Sequence, residues 1–219
     1  MLLLCRQSVE ELPASRRRGL FLKRAFDLIV TLFFLPIAAP TILLCAVLVR
    51  AESQGPVFFR QNRVGYLGQT FSIFKLRTMT HGGTHGNEHL LKVLERTDAA
   101  EGQFKYLMES RLTRVGKLLR KSSLDELPQL INVLRGEMSL VGPRPHTVDE
   151  VALFPEKYLA RHELPPGMTG LWQVSGRNRL SAALMLDLDL IYVQPWSFWR
   201  DLKILTATIP AVLRFGDTE

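Results

Sequence analysis

Two adjacent carboxylates, Asp125 and Glu126, directly follow the most basic run of the sequence, which holds five cations and no acid between residues 111 and 121. Carboxylate oxygens are ligands that Mg²⁺ accepts, and an ionised aspartate can attack a phosphorus whose charge is neutralised by nearby cations. The pair could therefore serve phosphoryl transfer. Ser123 and Glu126 also match the capping box of a helix start, in which both acids would only stabilise the helix.

Two arginines further along the chain lie in turns that suit an anion. Arg144 stands between Pro143 and Pro145, and the two prolines restrict the backbone. The guanidinium is thereby held in a position from which it can form two parallel hydrogen bonds with a phosphate. Arg177 follows Gly176, where a glycine allows the backbone to approach an anion closely. Ordinary surface loops contain the same patterns, so neither turn by itself is sufficient evidence for phosphate binding.

The elements around the acids are predicted from periodicity. In residues 111–121 the apolar side chains and the cations both recur at helical spacing, which predicts a basic amphipathic helix. Such a helix could bind an anionic membrane surface or phosphates. The alternative is that its basic face is simply exposed to solvent. Leu127 to Leu134 is predicted as a short apolar helix. Val57 to Arg60 and Phe71 to Lys75 are predicted as the strands of a small hairpin that turns near Gly65 and Gly68.

An uncharged stretch from Leu28 to Val49 would form a helix of about 33 Å, enough to cross a hydrocarbon core of about 30 Å. Pro36 and Pro40 straddle its midpoint, and each removes a backbone donor, so we predict a break there. Cations flank the stretch on both sides, whereas a spanning helix has them on one side. These features favour a re-entrant hairpin, and a single span with a proline kink is the alternative.

The resulting domain prediction has three parts. A basic segment covers residues 1–24, a re-entrant membrane hairpin covers residues 25–50, and a compact cytosolic domain that lies on the membrane covers residues 51–219. The predicted fold class is mainly α with a small β-hairpin (α+β), and it includes amphipathic interfacial helices.

Composition limits the class of partner and the compartment. The formal charge of +7 favours anionic partners such as phosphorylated substrates, acidic lipid or nucleic acid. Only two cysteines occur, Cys5 and Cys45, which argues against a disulfide framework and for a cytosol-facing location. His81, His85 and His89 have a spacing of four, but glycines lie between them, so we predict a solvated loop rather than a metal site.

Taken together, the motifs resemble the bacterial sugar transferase family, the monotopic polyprenyl-phosphate phosphoglycosyl transferases. The resemblance extends from about Lys23 to the last predicted helix, and its motifs occur in the family's order. They are Lys23 to Asp27, Gly55 to Arg63, Phe74 to Met79, Arg120 to Leu130, Ser139 to Pro145, Pro166 to Gly170, Gly176 to Asn178 and Asp189 to Tyr192. One departure is Ala39, where the family often has a serine before the proline of the break.

The resemblance implies an enzyme of the bacterial inner membrane with its catalytic domain in the cytosol. Asp125 would attack the β-phosphorus of a UDP-sugar, UMP would leave, and undecaprenyl phosphate would take the phosphosugar to prime exopolysaccharide or glycan synthesis. It further implies that Asp125 and Glu126 hold Mg²⁺.

The remaining site residues and partners follow from the same resemblance. Arg120, Arg144 and Arg177 would contact phosphate or nucleotide, with Pro143 and Pro145 shaping that loop. Membrane lipid is an expected partner, nucleic acid is not, and a homodimer is compatible with a membrane-lying enzyme. The alternative function is a membrane-anchored scaffold without activity that binds acidic lipid or nucleic acid. The motifs do not encode which sugar is transferred.

Overall fold

The structure is a computed structural model that describes residues 14–81, 111–176 and 180–214. The described chain is mostly helical with two small sheets, which confirms the predicted class in outline. Two of the three histidines of the predicted loop, His85 and His89, lie outside the described residues, as does Arg177.

The described elements are as follows. The helices are α1 Ala14–Glu52, α2 Arg114–Ser122, α3 Gln129–Arg135, α4 Val148–Ala152, α5 Leu171–Ser175, α6 Ala182–Val193 and α7 Phe198–Arg214. The strands are β1 Phe58–Val64, β2 Thr70–Leu76, β3 Ser139–Val141 and β4 Gly167–Thr169. Short 3₁₀ segments cover Tyr66–Gly68, Leu124–Glu126 and Glu156–Glu163.

The predicted hairpin is present and longer than expected. β1 and β2 pair antiparallel from Phe58 opposite Leu76 to Val64 opposite Thr70. Leu67 and Gly68 have positive φ at its tip, a conformation that glycine adopts without strain. The parallel pair of β3 and β4, with Ser139 opposite Gly167, was not predicted, because each strand has only three residues and their pairing joins distant parts of the chain.

α1 is one helix of 39 residues that contains both Pro36 and Pro40. The interruption predicted at these prolines is therefore not confirmed. Just beyond the second proline, the Thr41 hydroxyl donates to the Ile37 carbonyl at 2.8 Å. Within the described ranges α1 alone is long and apolar enough to cross a membrane.

One face of α1 packs on the rest of the protein along most of its length. The buried residues of this face recur at intervals of four or seven, and they are Lys23, Asp27, Thr31, Ala38, Cys45 and Val49. The other side of the helix exposes a row of large apolar side chains, which includes Ile29, Phe33, Ile37, Leu44 and Val47. Such a surface suits a hydrocarbon environment rather than water.

Both ends of α1 are held by the same body of protein. Near its start, the Lys23 Nζ lies 2.6 Å from the Asp201 Oδ2 of α7, and both side chains are buried. At its end, the Glu52 carboxylate accepts hydrogen bonds from the backbone amides of Arg114 and Val115 at 2.7 and 2.9 Å. A carboxylate at a helix N-terminus stabilises the helix, so the end of α1 supports the start of α2.

Candidate active site

The acids lie on a single 3₁₀ turn between α2 and α3. Ser123 caps the C-terminus of α2 with φ of +57°, a left-handed conformation that reverses the chain direction. The amide of Glu126 then donates to the Ser123 carbonyl at 3.2 Å and closes the turn. The sharp end of α2 therefore places Asp125 and Glu126 side by side at the end of the basic helix.

α2 is fixed in place by close contact with the chain beyond β2. A Cβ on Gly116 would lie 1.9 Å from the Thr78 carbonyl oxygen, so only glycine allows this approach. One helical turn later, the Nε of Arg120 donates to the Thr78 hydroxyl at 3.0 Å. This packing places the Arg120 guanidinium close enough to Asp125 to favour its ionised form.

Glu126 binds two cations rather than capping a helix. Its Oε1 lies 2.8 Å from the Lys75 Nζ and 3.4 Å from both terminal nitrogens of Arg144. Burial alone would raise the pKa of Glu126, but Arg144 and Lys75 outweigh it and hold the pKa at about 2. Ser123 makes no side-chain capping hydrogen bond to this turn, so the capping-box interpretation is wrong.

Asp125 has the opposite electrostatic environment. Burial, followed by the neighbouring Glu126 charge, raises the pKa of Asp125 to about 6, although Lys75, Arg120 and Arg144 oppose the rise. Among the hydrogen bonds of the described residues, none reaches this carboxylate. At neutral pH Asp125 is therefore largely ionised but poorly stabilised, which is the state that a nucleophile requires.

Arg144 projects from a loop that neighbouring groups hold firmly, as the two prolines predicted. Its carbonyl accepts a hydrogen bond of 2.6 Å from the buried Arg161, which also binds the Asp189 carboxylate at 2.5 Å. The carbonyl of Pro145 accepts from Arg63 at 3.2 Å. The guanidinium of Arg144 remains partly exposed, with 35% of the side chain accessible, so it can reach Glu126 and a ligand at the same time.

The structure brings together the predicted Asp125, Glu126, Arg120 and Arg144. Pro143 and Pro145 shape the Arg144 loop, whereas Arg177 lies outside the described residues. Sequence reasoning missed Lys75 as a site residue. Its position in the motif from Phe74 to Met79 was the available signal, but the motif was used only for the family resemblance and no role was assigned to its lysine.

The two carboxylates fit a magnesium ion in part. Mg²⁺ is usually held by one or two carboxylates together with substrate phosphates and water. Asp125 and the Glu126 oxygen that faces neither cation provide such a donor set. A bound cation would counter the burial and the Glu126 charge that together raise the pKa of Asp125. In the described ranges no group of three or more His, Cys, Asp and Glu side chains forms a separate metal site.

Comparison with known proteins decides the family. The sequence profile of the bacterial sugar transferases matches residues 18–215. The chain belongs to the bacterial sugar transferase family. The family resemblance inferred from the motifs is thereby confirmed, and so is the prediction that the protein is an enzyme of the transferase class.

Three relatives illustrate what this sugar transferase is similar to. It is 43% identical over 206 residues to the exopolysaccharide production protein ExoY of Rhizobium meliloti, covering 93% of this chain and 90% of ExoY. It is 44% identical over 206 residues to the UDP-glucose:undecaprenyl-phosphate glucose-1-phosphate transferase of Caulobacter vibrioides, covering 87% of this chain and 69% of that protein. It is 40% identical over 205 residues to the undecaprenyl-phosphate galactose phosphotransferase of Salmonella typhimurium, covering 91% of this chain and 42% of that protein.

Proposed function

We propose that the protein transfers a sugar 1-phosphate from a UDP-sugar to undecaprenyl phosphate through a covalent intermediate on Asp125. The observation that carries the proposal is the contrast within the acidic pair. Glu126 is bound by Lys75 and Arg144, whereas the adjacent Asp125 has no hydrogen bond among the described residues and a pKa near 6. Such a contrast separates a supporting carboxylate from a reacting one.

In the first step an oxygen of Asp125 attacks the β-phosphorus of the UDP-sugar. The new bond joins that oxygen to phosphorus, and the bond between phosphorus and the bridging oxygen breaks, so UMP leaves with the electron pair. Lys75, Arg120 and Arg144 offset the negative charge of the diphosphate and of the departing UMP. Glu126 orients Lys75 and Arg144 toward this charge.

In the second step an oxygen of undecaprenyl phosphate attacks the same phosphorus and displaces the Asp125 carboxylate. The product is a lipid-linked diphosphate sugar, and Asp125 is regenerated. The covalent intermediate allows a soluble donor and a lipid acceptor to use one site in turn. When bound at Asp125 and Glu126, Mg²⁺ would neutralise the phosphoryl oxygens of the donor.

The membrane arrangement proposed for the enzyme is re-entrant, with both ends of α1 on the cytosolic side of the bacterial inner membrane. Contacts at both ends of the helix support it, because Lys23 binds α7 and Glu52 binds the start of α2. A helix that crossed a bilayer of about 30 Å would have its ends on opposite sides, and one water-soluble body could not hold both. A homodimer stays a prediction of the sequence.

The proposed topology predicts the labelling of two single-cysteine variants in intact cells. Cysteines placed near residue 20 and near residue 60, in a chain without Cys5 and Cys45, should both resist a membrane-impermeant maleimide until the inner membrane is opened. Reaction of one of them from the periplasm would establish a true span. Cysteines placed in a periplasmic loop of a known membrane protein provide the positive control for labelling.

The proposed activity predicts UMP release that depends on metal. The purified full-length protein, given Mg²⁺, undecaprenyl phosphate and a panel that begins with UDP-glucose and UDP-galactose, should release UMP with at least one donor. Chelation with EDTA should reduce the rate to background, because the diphosphate loses its counter-charge. No UMP release with any donor, together with salt-sensitive binding to acidic vesicles, would favour the scaffold instead.

A further inference from the structure

An apolar groove lies between α1 and the turn that carries the acids. Its α1 side includes Thr31, Phe34 and Ala38, and its other side includes Leu124, Leu127 and Leu130. The cavity has a volume of about 370 Å³, near the lower end of the range of roughly 300 to 1,000 Å³ for ligand pockets. Its lining is apolar apart from two threonine hydroxyls.

The groove and the charged site share one short turn. Leu124 and Leu127 face the groove and immediately flank Asp125 and Glu126 in sequence. An apolar chain in the groove would therefore end close to the acids and to the cations around them. This continuity of an apolar surface with a phosphate-binding surface matches a ligand that has a hydrocarbon chain and an anionic head.

A buried hydroxyl in the groove has no partner. Thr31 is fully buried, and its Oγ1 makes no hydrogen bond. The other threonine of the lining, Thr41, differs because its hydroxyl already donates to the Ile37 carbonyl. Buried polar side chains are seldom left without a partner in folded proteins, so the unpaired Thr31 hydroxyl is not explained by the packing of the described residues.

The groove opens on the side of α1 that suits a lipid environment. Phe34 and Ile37, which line it, are 51% and 67% exposed, and they continue into the exposed apolar face of the helix. A ligand can therefore enter from the hydrocarbon phase without passing through water.

We propose that this groove binds the isoprenoid units nearest the phosphate of the polyprenyl phosphate acceptor, with the phosphate beside the cations that surround Asp125 and Glu126. The inference rests on the proposed function, since it assigns the lipid acceptor to a surface separate from the donor's. Phospholipid acyl chains have similar apolar chemistry, and they are the competing occupants that the experiments distinguish.

The first test compares two identical substitutions at neighbouring positions. Ala38 is buried in the groove and Ala39 is exposed on the outer face of α1, so Ala38→Leu fills the groove and Ala39→Leu controls for the added side chain. Ala38→Leu should raise the KM for undecaprenyl phosphate at least about tenfold. It should still release one equivalent of UMP from donor alone, and Ala39→Leu should match the wild type in both assays.

The outcomes separate this inference from the proposed function. An Ala38→Leu protein with an unchanged KM for the acceptor would overturn the groove assignment while the activity stands. A wild-type protein that releases no UMP at all would instead overturn the proposed function.

The second test needs no variant and so remains decisive if Ala38→Leu does not fold. A polyprenyl phosphate with a diazirine in its first isoprene units is irradiated with the wild-type protein in nanodiscs, and labelled peptides are identified by mass spectrometry. Labels should fall on residues 30–41 and 124–130, and excess unlabelled undecaprenyl phosphate should remove them. Labels elsewhere would contradict the proposal. Labels that excess undecaprenyl phosphate does not remove would also contradict it, because a site open to any acyl chain is not saturated by the acceptor.

Discussion

Asp125→Asn should lower the turnover number for UMP release by at least about 10³-fold, because the amide is a poor nucleophile and cannot form the acyl-phosphate bond. The substitution keeps the size and shape of the side chain. Since burial already disfavours the charge of Asp125 and raises its pKa to about 6, the neutral amide should leave the melting temperature no lower than in the wild type. Turnover and thermal unfolding of the same preparation check both expectations.

Asp149→Asn is the matched control for this substitution. Asp149 is exposed in the first turn of α4 and lies outside the proposed catalytic residues, so its variant should retain wild-type turnover. Equal turnover of Asp125→Asn and Asp149→Asn would remove Asp125 as the nucleophile. Loss of activity accompanied by a lower melting temperature would indicate damage to the fold instead.

Arg161→Met should lower the free energy of unfolding by about 3 to 5 kcal/mol, the usual cost of leaving one member of a buried ion pair alone. Arg161 and Asp189 are each 1% exposed, and the contact between them is 2.5 Å. Burial raises the pKa of Asp189 to about 6 even with Arg161 present, so its carboxylate depends on that partner. Denaturant unfolding in detergent, followed by tryptophan fluorescence, measures the loss.

The same variant should also reduce activity, because Arg161 donates to the carbonyl of Arg144 and thereby fixes the loop beside Glu126. The double variant Arg161→Met/Asp189→Leu separates the two effects. Replacing both charges by apolar side chains should restore most of the stability, but kcat/KM should remain low since the Arg144 carbonyl still lacks its donor. A single variant that loses less than about 1 kcal/mol, or a double variant with full activity, would contradict this role of Arg161.

Local sequence was sufficient for features that depend on neighbouring residues. The hairpin followed from its alternating strands and from the glycines at its tip, and the rigid Arg144 loop followed from Pro143 and Pro145. The apolar helical character of residues 28–49 in α1 followed from their lack of charge. Its behaviour at Pro36 and Pro40 did not, because packing of a whole helix face can preserve helical structure through a residue that weakens it locally.

Features that depend on distant residues could not be predicted in this way. Lys75 reaches Glu126 only because β2 ends beside the turn after α2, and no pattern within either segment reports that contact. The Arg161–Asp189 pair likewise joins two separate helical segments. The capping-box interpretation failed for a conformational reason, since Ser123 takes a left-handed backbone that ends α2 instead of starting the next helix.

The most direct test of the covalent mechanism is the mass of the intact protein after brief mixing with Mg²⁺ and a UDP-sugar that it accepts, without any lipid acceptor. The proposed mechanism predicts a mass increase equal to one sugar phosphate, with one equivalent of UMP released and the label on the peptide that contains Asp125. Addition of undecaprenyl phosphate should then remove the label. UMP that forms only when the acceptor is present, with no labelled protein at any time, would contradict a covalent intermediate and indicate direct transfer between donor and acceptor.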